Sequence, residues 1–494
     1  MSRLRRRSPE PWKRVGLGSR RNSPSLSSSS LSSRFRYIIS AMFRRRTSSL
    51  RSLFILSVFG LFFFWIILPY DNVIRLAVRW NLIQLKYSLT SRASENWVFS
   101  ARPEFPVDLG EDVLVILKTG YGTRDRVPAW LEALREGSEF RDVLVIADYD
   151  SKPGEEFEWK EEGKGLKVHD MVKKSFEHKT MKGMEGHRRV VKYNRLKEAV
   201  ESGDHERGLK LSREFGWELD ALKFVSGLEF AYDRFPKKKW YLLVDDDTFV
   251  VQPSLKPFLA HLNPEETHYL GNAVGDFKAR FAHGGSAIIL SQATMQSLIV
   301  DNSRAFSRFY LDSLDEVWGD RLLAMALIKI GIYLDETYCH LFNGEPPLYS
   351  KIRPDRICSP MLSFHTLPSP AKMLQVGEHF KNISKPVFWL DLWDIYGIMP
   401  PWRQENQDAT MQKNWDHVGE PDEATLTVTN VKKAEDCLKN CNRRARTCLA
   451  WTWESETRIC HISSWMVVGG EASGKVSGIN LPRARTLESN CLLY

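Results

Sequence analysis

Residues 240–249 read WYLLVDDDTF, so an aromatic and aliphatic segment runs directly into three consecutive aspartates. An unbroken apolar run of this length is typical of a strand buried on both faces of a sheet. In open sheets covered by helices, ligands bind beyond the carboxyl ends of such strands. The position of Asp245, Asp246 and Asp247 therefore indicates a binding site at the edge of an α/β sheet.

The segments before the aspartates predict a parallel sheet. Residues 113–117 (VLVIL) and 143–146 (VLVI) have the length and composition of buried strands, and residues 127–135 between them predict a helix. Two buried strands separated by a helix are typical of a parallel βαβ unit. The predicted fold class is therefore α/β.

Later segments continue the same domain, which we place at residues 109–405. A helix is predicted from residue 217, because apolar residues recur every three positions on one face. Those residues are Leu219, Leu222, Val225, Leu228 and Ala231. Downstream, residues 287–290 predict a strand, residues 321–330 a helix and residues 333–334 a short strand.

Three adjacent carboxylates repel one another unless a cation or a set of hydrogen-bond donors compensates their charge. A hard divalent ion such as Mn²⁺ or Mg²⁺ binds one or two carboxylates and completes its shell with phosphate oxygens and water. At the edge of a sheet, such an ion would stabilise a departing diphosphate. The same aspartates would also fit an exposed acidic turn or a helix cap before Phe249.

An ordered set of motifs resembles glycosyltransferase family 31, in particular its Fringe-like, fungal-type branch. The motifs are Gly216-Trp217-Glu218-Leu219-Asp220, Lys239-Trp240-Tyr241, Val244-Asp245-Asp246-Asp247-Thr248-Phe249, His283-Gly284-Gly285-Ser286-Ala287 and Ser363-Phe364-His365. The resemblance covers about residues 110–400. It implies a GT-A (Rossmann-like) fold and an inverting hexosyl- or N-acetylhexosaminyltransferase that uses a UDP-sugar and Mn²⁺ and usually makes a β-1,3 linkage to a glycan, glycoprotein or glycolipid.

Within this resemblance, Asp247 matches the metal-ligating last aspartate of the triplet, and His365 matches a late histidine that is a further metal ligand. Asp245 and Asp246 match positions nearer the ribose and donor sugar, and Asp245 is also a predicted metal ligand. Taken alone, His365 would be better interpreted as an ordinary core histidine, and the Ser-Phe-His context reverses that preference.

Two glycines and the segment after the first strand are predicted to bind the donor. Gly284 and Gly285 match a turn that lines the donor and acceptor site, where a missing Cβ lets substrate approach the backbone. A plain strand turn is the alternative. The residues after the first strand lie where the family binds uridine, namely Lys118, Thr119, Gly120 and Arg124.

Inversion needs a general base that takes the acceptor hydroxyl proton. The candidates lie in residues 315–321, which read DEVWGDR and differ from the commonest family pattern. Asp320 is preferred, since Gly-Asp-Arg before an apolar helix matches the plant and fungal variant. Asp320 would also suit a helix N-cap, in which case Asp315 or Glu316 would be the base.

The N-terminal part of the chain predicts a membrane anchor. Residues 1–52 contain 14 Lys/Arg and one acidic residue, which gives this segment a net charge of +13. Since the whole chain has a net charge of +9, the remaining residues carry about −4. The basic charge therefore belongs to a predicted disordered cytosolic tail and does not indicate nucleic-acid binding. Residues 53–70 predict a transmembrane helix with the positive flank inside, which gives a single-pass type II Golgi protein with residues 71–108 as stem.

Seven cysteines all lie beyond residue 338, in keeping with an oxidising lumen. Cys437, Cys441, Cys448 and Cys460 predict two disulfides in a module at residues 425–494, with a zinc site as the alternative. With Cys339, Cys358 and Cys491 left over, at least one thiol is unpaired or pairs elsewhere. The module resembles a PAN/Apple domain, which implies a protein or glycan ligand. Asn382 begins the predicted N-glycosylation triplet.

Two functional classes follow. The first is the active glycosyltransferase. The second is a catalytically silent Golgi protein that binds a glycan or protein on the same scaffold. The acidic triplet, the late histidine and an acid near residue 320 favour the first class. The sequence contains neither GxxxxGK[ST] nor GxGxxG after a strand, so a P-loop or dinucleotide enzyme is set aside.

Overall fold

A computed structural model describes residues 54–60, 62–89, 101–135, 138–159, 165–276, 279–404 and 411–491. The chain divides into two compact units, Met1–Leu68 and Pro69–Tyr494. In the first unit, residues 54–60 and 62–67 are helical. No helix in the described part of the chain is both long and apolar enough to span a membrane. The predicted tail 1–52, and residues 53 and 61 of the predicted span 53–70, lie outside the described residues.

The second unit contains both helices and strands. Its α-helices are α1 (Val73–Leu89), α2 (Leu109–Asp112), α3 (Arg126–Arg135), α4 (Met171–Glu177), α5 (Arg188–Glu201), α6 (His205–Phe215), α7 (Asp220–Arg234), α8 (Gln252–Leu259), α9 (Gln292–Gln296), α10 (Ser303–Asp312), α11 (Gly319–Lys329), α12 (Pro370–Phe380), α13 (Asp391–Ile395), α14 (Ala434–Asn442) and α15 (Leu481–Cys491). Its 3₁₀ helices are Tyr121–Thr123, Lys179–Met181, Gly216–Leu219, Gly284–Ser286, Glu336–Leu341, Pro347–Tyr349 and Pro401–Arg403, and Ser297–Asp301 is a π-helix.

The strands are β1 (Val113–Lys118), β2 (Asp142–Ala147), β3 (Phe157–Glu158), β4 (Gly165–Leu166), β5 (Val168–Asp170), β6 (Trp240–Asp245), β7 (Phe249–Val250), β8 (Tyr269–Gly271), β9 (Ala273–Gly275), β10 (Arg280–Ala282), β11 (Ile288–Ser291), β12 (Ser363–Phe364), β13 (Gln412–Trp415), β14 (Leu426–Val428), β15 (Ala450–Glu454), β16 (Ile459–Ser463) and β17 (Glu471–Ile479). Most of the long strands coincide with aliphatic or aromatic runs, as the sequence pattern predicts.

A six-stranded sheet forms the core in the order β5-β2-β1-β6-β11-β8. Strands β5, β2, β1 and β6 are mutually parallel, whereas β11 and β8 run antiparallel to their neighbours. Every residue of β1 is buried, because helices cover both faces of its aliphatic run. The predicted α/β class and the parallel βαβ unit are confirmed.

Helix α7 packs against β1 and β2 of the sheet and against the helices α4 and α11. It begins at Asp220, after a 3₁₀ turn at Gly216–Leu219, and residues 221–228 are all buried. The sequence pattern predicted one buried face, but the buried surface of α7 is wider, because the helix has protein on both sides. Lys223 and Ser226 are buried with the apolar residues.

The strand predicted at residues 333–334 is absent. Gly331 makes a turn with φ of +85°, and the segment that follows bonds to the central sheet only through Asp335 N–H and the carbonyl of Tyr269, at 2.9 Å. Leu334 is buried, so its apolar side chain produced the strand-like pattern without a strand.

The C-terminal module contains an antiparallel sheet in the order β13-β17-β15-β16-β14, with α14 packed against it. The first of these strands, Gln412–Trp415, precedes the predicted start at residue 425. Two disulfides lie within the module, as the sequence predicts, and they join Cys437 to Cys460 and Cys441 to Cys448, a pairing that the sequence left open.

Covalent, backbone, ionic and apolar contacts hold this module against the α/β domain, and residues of the module such as Leu449 and Val468 belong to the same apolar cluster as the sheet. A third disulfide joins Cys358 to Cys491, at the end of α15. Ile352 and Met466 form an antiparallel bridge, and Asp422 pairs with Lys351 at 3.0 Å. Cys339 is outside the three disulfides.

Candidate active site

A cleft of about 490 Å³ opens at the carboxyl ends of β1 and β6, where sheet topology predicts it. Ten predicted site residues line it. They are Lys118, Thr119, Gly120, Asp245, Asp246, Asp247, Gly284, Gly285, Asp320 and His365. Residues from five separate parts of the chain thus meet in one concave surface.

The parallel pairing of β1 and β6 places Lys118 beside Asp245. The Lys118 ammonium lies 2.9 Å from Asp245 Oδ1 and 2.7 Å from Asp220 Oδ1. Burial opposes its charged form, but the two carboxylates more than compensate and raise the pKa of Lys118. Lys118 is therefore a fixed cation on the floor of the cleft.

A short strand pair brings His365 to the aspartate triplet. β12 pairs with β7 in antiparallel orientation, with Phe364 opposite Phe249. The next residue, His365, therefore lies beside the aspartate triplet. His365 Nε2 lies 3.1 Å from Asp247 Oδ1. Ligand atoms of Asp245, Asp247 and His365 all lie within 4.8 Å of one another. Two carboxylates and one imidazole fit a divalent cation such as Mn²⁺ or Mg²⁺.

The charges of this group depend on one another. Burial favours protonation of Asp247, but the hydrogen bond from His365 and the charges of Arg126 and Lys118 hold its pKa below the usual value. Burial disfavours the imidazolium of His365, yet its bond to Asp247 raises its pKa. The negative charge of Asp247 and the positive charge of His365 therefore compensate each other. A bound metal ion would displace the proton of His365.

Gly285 is required by the position of His365. A Cβ on Gly285 would lie 2.3 Å from His365 Nε2, closer than any real contact. The sequence predicts that the glycine turn gives room to substrate, but at Gly285 the space is taken by the imidazole. Thr248 supports the same turn by donating to the Gly285 carbonyl at 2.7 Å.

Asp246 is hydrogen-bonded to side chains of the segment after β1. Its Oδ2 accepts hydrogen bonds from Thr119 and Thr123, both at 2.6 Å, and its Oδ1 accepts one from Arg126 at 3.1 Å. Burial raises the pKa of Asp246, while the threonine bonds oppose that effect. Asp246 therefore ties the end of β6 to the segment after β1 and fixes the direction of Asp245 and Asp247.

Asp320 lies in the first turn of α11, where the helix dipole favours a carboxylate. Its two oxygens accept from Gly284 N–H at 2.8 Å and Arg321 N–H at 2.7 Å. Burial raises the pKa of Asp320 to about 6, and the charge of Asp220 adds to this effect against the two backbone bonds. Such a carboxylate is ionised at neutral pH and still basic enough to take a proton.

Three predicted site residues do not line the cleft. The Asp315 carboxylate is exposed and lies 3.5 Å from His187. Glu316 is buried in an ion pair with Arg321. The Arg124 guanidinium stacks on the ring of Tyr121 at 4.0 Å and donates to the Tyr121 carbonyl. Of the three candidate bases, Asp320 alone faces the cleft.

The structure adds residues to which the sequence analysis gave no role in the site. These cleft-lining residues include Arg126, Asp148, Asp220, Lys223, His283, Trp217 and Trp318. Lys223 donates to the carbonyl of Thr119 at 2.8 Å, within an otherwise apolar stretch of α7. A lysine on the buried part of a helix was the available signal, since such a group needs a partner.

Two family models match the chain. Residues 217–393 match the Fringe-like family, and residues 416–480 match the PAN domain. The first match covers the triplet, the glycine turn, Asp320 and His365, and the second covers most of the disulfide module. The chain thus carries a Fringe-like domain and a C-terminal PAN domain. The Fringe-like domain supports a glycosyltransferase function.

Proposed function

We propose that this chain, with its Fringe-like domain, is a metal-dependent, inverting glycosyltransferase of GT-A fold that moves a sugar from UDP to a glycan acceptor, through a β-1,3 linkage. One observation carries the proposal: Asp245, Asp247 and His365 converge on the cleft that Asp320 also lines. Two kinds of chemistry, cation binding and proton removal, are thereby available to one substrate.

The cation would be held by Asp245, Asp247 and His365. The two carboxylates suit Mg²⁺ or Mn²⁺, and the imidazole favours Mn²⁺ of the two. When bound, the ion supplies positive charge that stabilises a leaving diphosphate. The chain itself holds these ligands in place, through the hydrogen bonds of Asp246 in the middle of the triplet and through Gly285 beside the imidazole.

The donor nucleotide is proposed to lie along the segment after β1. Lys118, Thr119 and Gly120 line this end of the cleft. Lys118 is paired with Asp220 and Asp245, and the third N–H of its ammonium group could donate to a diphosphate oxygen. These residues would bind and orient the donor before transfer.

Asp320 is proposed as the general base. Its carboxylate would take the proton of an acceptor hydroxyl while the acceptor oxygen bonds to the sugar carbon. The bond from that carbon to the phosphate oxygen breaks, and UDP leaves. Gly284 N–H and Arg321 N–H hold the two carboxylate oxygens, so the base needs little reorganisation.

The Golgi lumen is proposed as the site of action. Three disulfides favour an oxidising compartment, and Asn382 of the predicted glycosylation triplet is exposed. Membrane anchoring through residues 53–70 stays a prediction from the sequence. Fluorescence colocalisation of the tagged chain with a Golgi marker, and a glycosidase-sensitive gel shift lost in Asn382→Gln, would test both placements.

A donor screen tests the activity. The purified protein is incubated with Mn²⁺ and UDP-glucose, UDP-galactose, UDP-N-acetylglucosamine or UDP-N-acetylgalactosamine, and UDP release is measured. Asp247→Ala, or a chelator, is expected to reduce release by on the order of 10²-fold, because the stabilising charge is lost. Asp142→Ala removes an aspartate that pairs with Lys238 at the opposite end of the sheet and is the matched control.

The outcomes separate the two functional classes. Turnover that Asp247→Ala and chelator leave intact would contradict metal dependence. UDP binding without turnover of any donor would favour the silent, glycan-binding alternative instead.

A further inference from the structure

Trp318 is a large aromatic residue that faces solvent within the candidate active site. Its side chain is 51% exposed, and it lines the cleft together with the half-exposed Val317. Folding normally removes such a surface from water, since burying it contributes a few kcal/mol. An exposed tryptophan in a concave site is therefore a candidate ligand contact.

The ring of Trp318 is held in place from one side. The guanidinium of Arg321 lies 4.6 Å from the ring centroid, and the ring of Phe281 lies 6.2 Å away. Arg321 is itself buried and bonded to Glu316 and Asp276. These bonds leave Arg321 little freedom, so the indole plane is fixed before any ligand arrives.

The same arrangement explains the position of Glu316. Arg321 Nε donates to Glu316 Oε1 at 2.9 Å, and the Glu316 carbonyl accepts from the buried Arg189 at 2.6 Å. The Glu316 carboxylate therefore supports the segment that carries Trp318. Glu316 is thereby a positioning residue for the tryptophan.

Trp318 also has a defined place relative to the proposed base. It directly precedes Gly319, and a Cβ on Gly319 would lie 2.1 Å from Phe224, so this start of α11 is pressed against α7. Asp320 follows one residue later with its carboxylate fixed by two backbone bonds. Trp318 and Asp320 line the same cleft, so a group stacked on Trp318 would lie in the cleft that Asp320 also lines.

We propose that Trp318 is the platform on which the acceptor sugar stacks, and that the acceptor ends in a pyranose with an apolar C–H face. The inference rests on the proposed function. A pyranose ring offers C–H groups on one face, and the negative face of an indole attracts them. Trp217, which is 59% exposed and lines the same cleft, offers a second aromatic surface for a longer glycan.

Saturation-transfer NMR on the purified full chain tests this platform. The probes are methyl β-galactopyranoside, methyl β-glucopyranoside and methyl α-mannopyranoside, each with UDP and Mn²⁺ present. We expect the wild type to bind at least one of them, with strongest transfer to the C–H protons of one ring face. Trp318→Ala should weaken its dissociation constant about tenfold, the equivalent of one stacking contact. Trp318→Phe should retain most of the affinity.

Trp80→Ala is the matched control. Trp80 is also partly exposed and stacks under an arginine, Arg280, at 4.5 Å, but it does not line the cleft. Bound UDP, measured in the same samples, should stay unchanged in all three variants and shows that each is folded.

Equal pyranoside affinity in wild type and Trp318→Ala would overturn the platform, and so would UDP binding without any pyranoside binding. Absence of UDP binding to the wild type would contradict the proposed function itself. The two failures are therefore distinguishable in one experiment.

Discussion

The Fringe-like domain and the PAN domain stabilise their cores by different means. In the first, a large apolar cluster surrounds a six-stranded sheet and continues into the PAN domain at residues such as Leu449 and Met466, and charged groups such as Lys118 and Lys223 are buried beside the cleft. The second has its own cluster of eight buried residues, of which four are the cysteines of two disulfides. A small core is supplemented by covalent links, while a large core can accommodate buried charge.

Because of this difference, we expect variants in one domain to change mainly activity and variants in the other to change mainly stability. Variants in the cleft should change catalysis with little change in unfolding, because the apolar core lies beneath the charges. Variants in the PAN domain should lower local stability and leave transfer to small acceptors intact. Three measurements would test this expected difference between the two domains.

The largest expected effect is on catalysis at Asp320. Asp320→Asn should lower kcat/KM by roughly 10²- to 10⁴-fold, because the base is removed. In the wild type, kcat/KM should rise with pH through about 6 and level off above it, since burial raises the pKa of Asp320 to about 6 and the base must be ionised. Thermal unfolding should change little.

Asp315→Asn is the control for that experiment, since Asp315 lies close by in sequence and outside the cleft. If kcat/KM of Asp320→Asn still rose with pH as in the wild type, Asp320 would not be the base. A large decrease in kcat/KM of Asp315→Asn would also assign the base elsewhere. pH profiles of both variants decide between these outcomes.

An intermediate effect is expected on the stability of the PAN domain. The double variant Cys437→Ser, Cys460→Ser removes a link across 23 residues. The lost restraint on the unfolded chain corresponds to about 3 kcal/mol. Hydrogen exchange should rise in β15 and β16, whereas UDP release in the donor screen should be unchanged. Cys339→Ser, at a cysteine outside the disulfides, is the control.

The smallest effect is expected at the surface between the two domains. Asp422 pairs with Lys351 at 3.0 Å and Arg353 at 3.3 Å, but its side chain is still 32% exposed. Partly exposed ion pairs contribute at most about 1 kcal/mol. Denaturant unfolding of Asp422→Asn should therefore differ from wild type by no more than that. Glu423→Gln, at an exposed neighbouring acid, is the control. A loss of several kcal/mol would mean that charge dominates this interface.

The sequence predicted those parts of the fold that depend on local pattern. The aliphatic runs of β1, β2 and β6 identify buried strands by themselves, and the position of Asp245 to Asp247 follows from the end of β6. His365 was predicted only through the family resemblance. Its approach to Asp247 depends on the pairing of β12 with β7, and no local pattern records a contact over that separation.

The features that the sequence analysis missed depend on tertiary structure, which local sequence patterns do not describe. Asp220, although part of a quoted motif, and Lys223 were given no role in the site, because helical periodicity describes one face of α7 while residues 221–228 are all buried. Asp315, Glu316 and Asp320 lie in one short segment, and only the path of the chain into α11 decides which carboxylate enters the cleft. The pairing of Cys358 with Cys491 spans 133 residues and could not be chosen from spacing.

That last disulfide alters how breakage of the chain would be detected. A protease that cuts once between Cys358 and Cys491 leaves two fragments that still migrate together on a non-reducing gel. Addition of a thiol reductant would separate them. Integrity of the purified protein therefore has to be judged under reducing conditions, where a nick becomes visible as a second band.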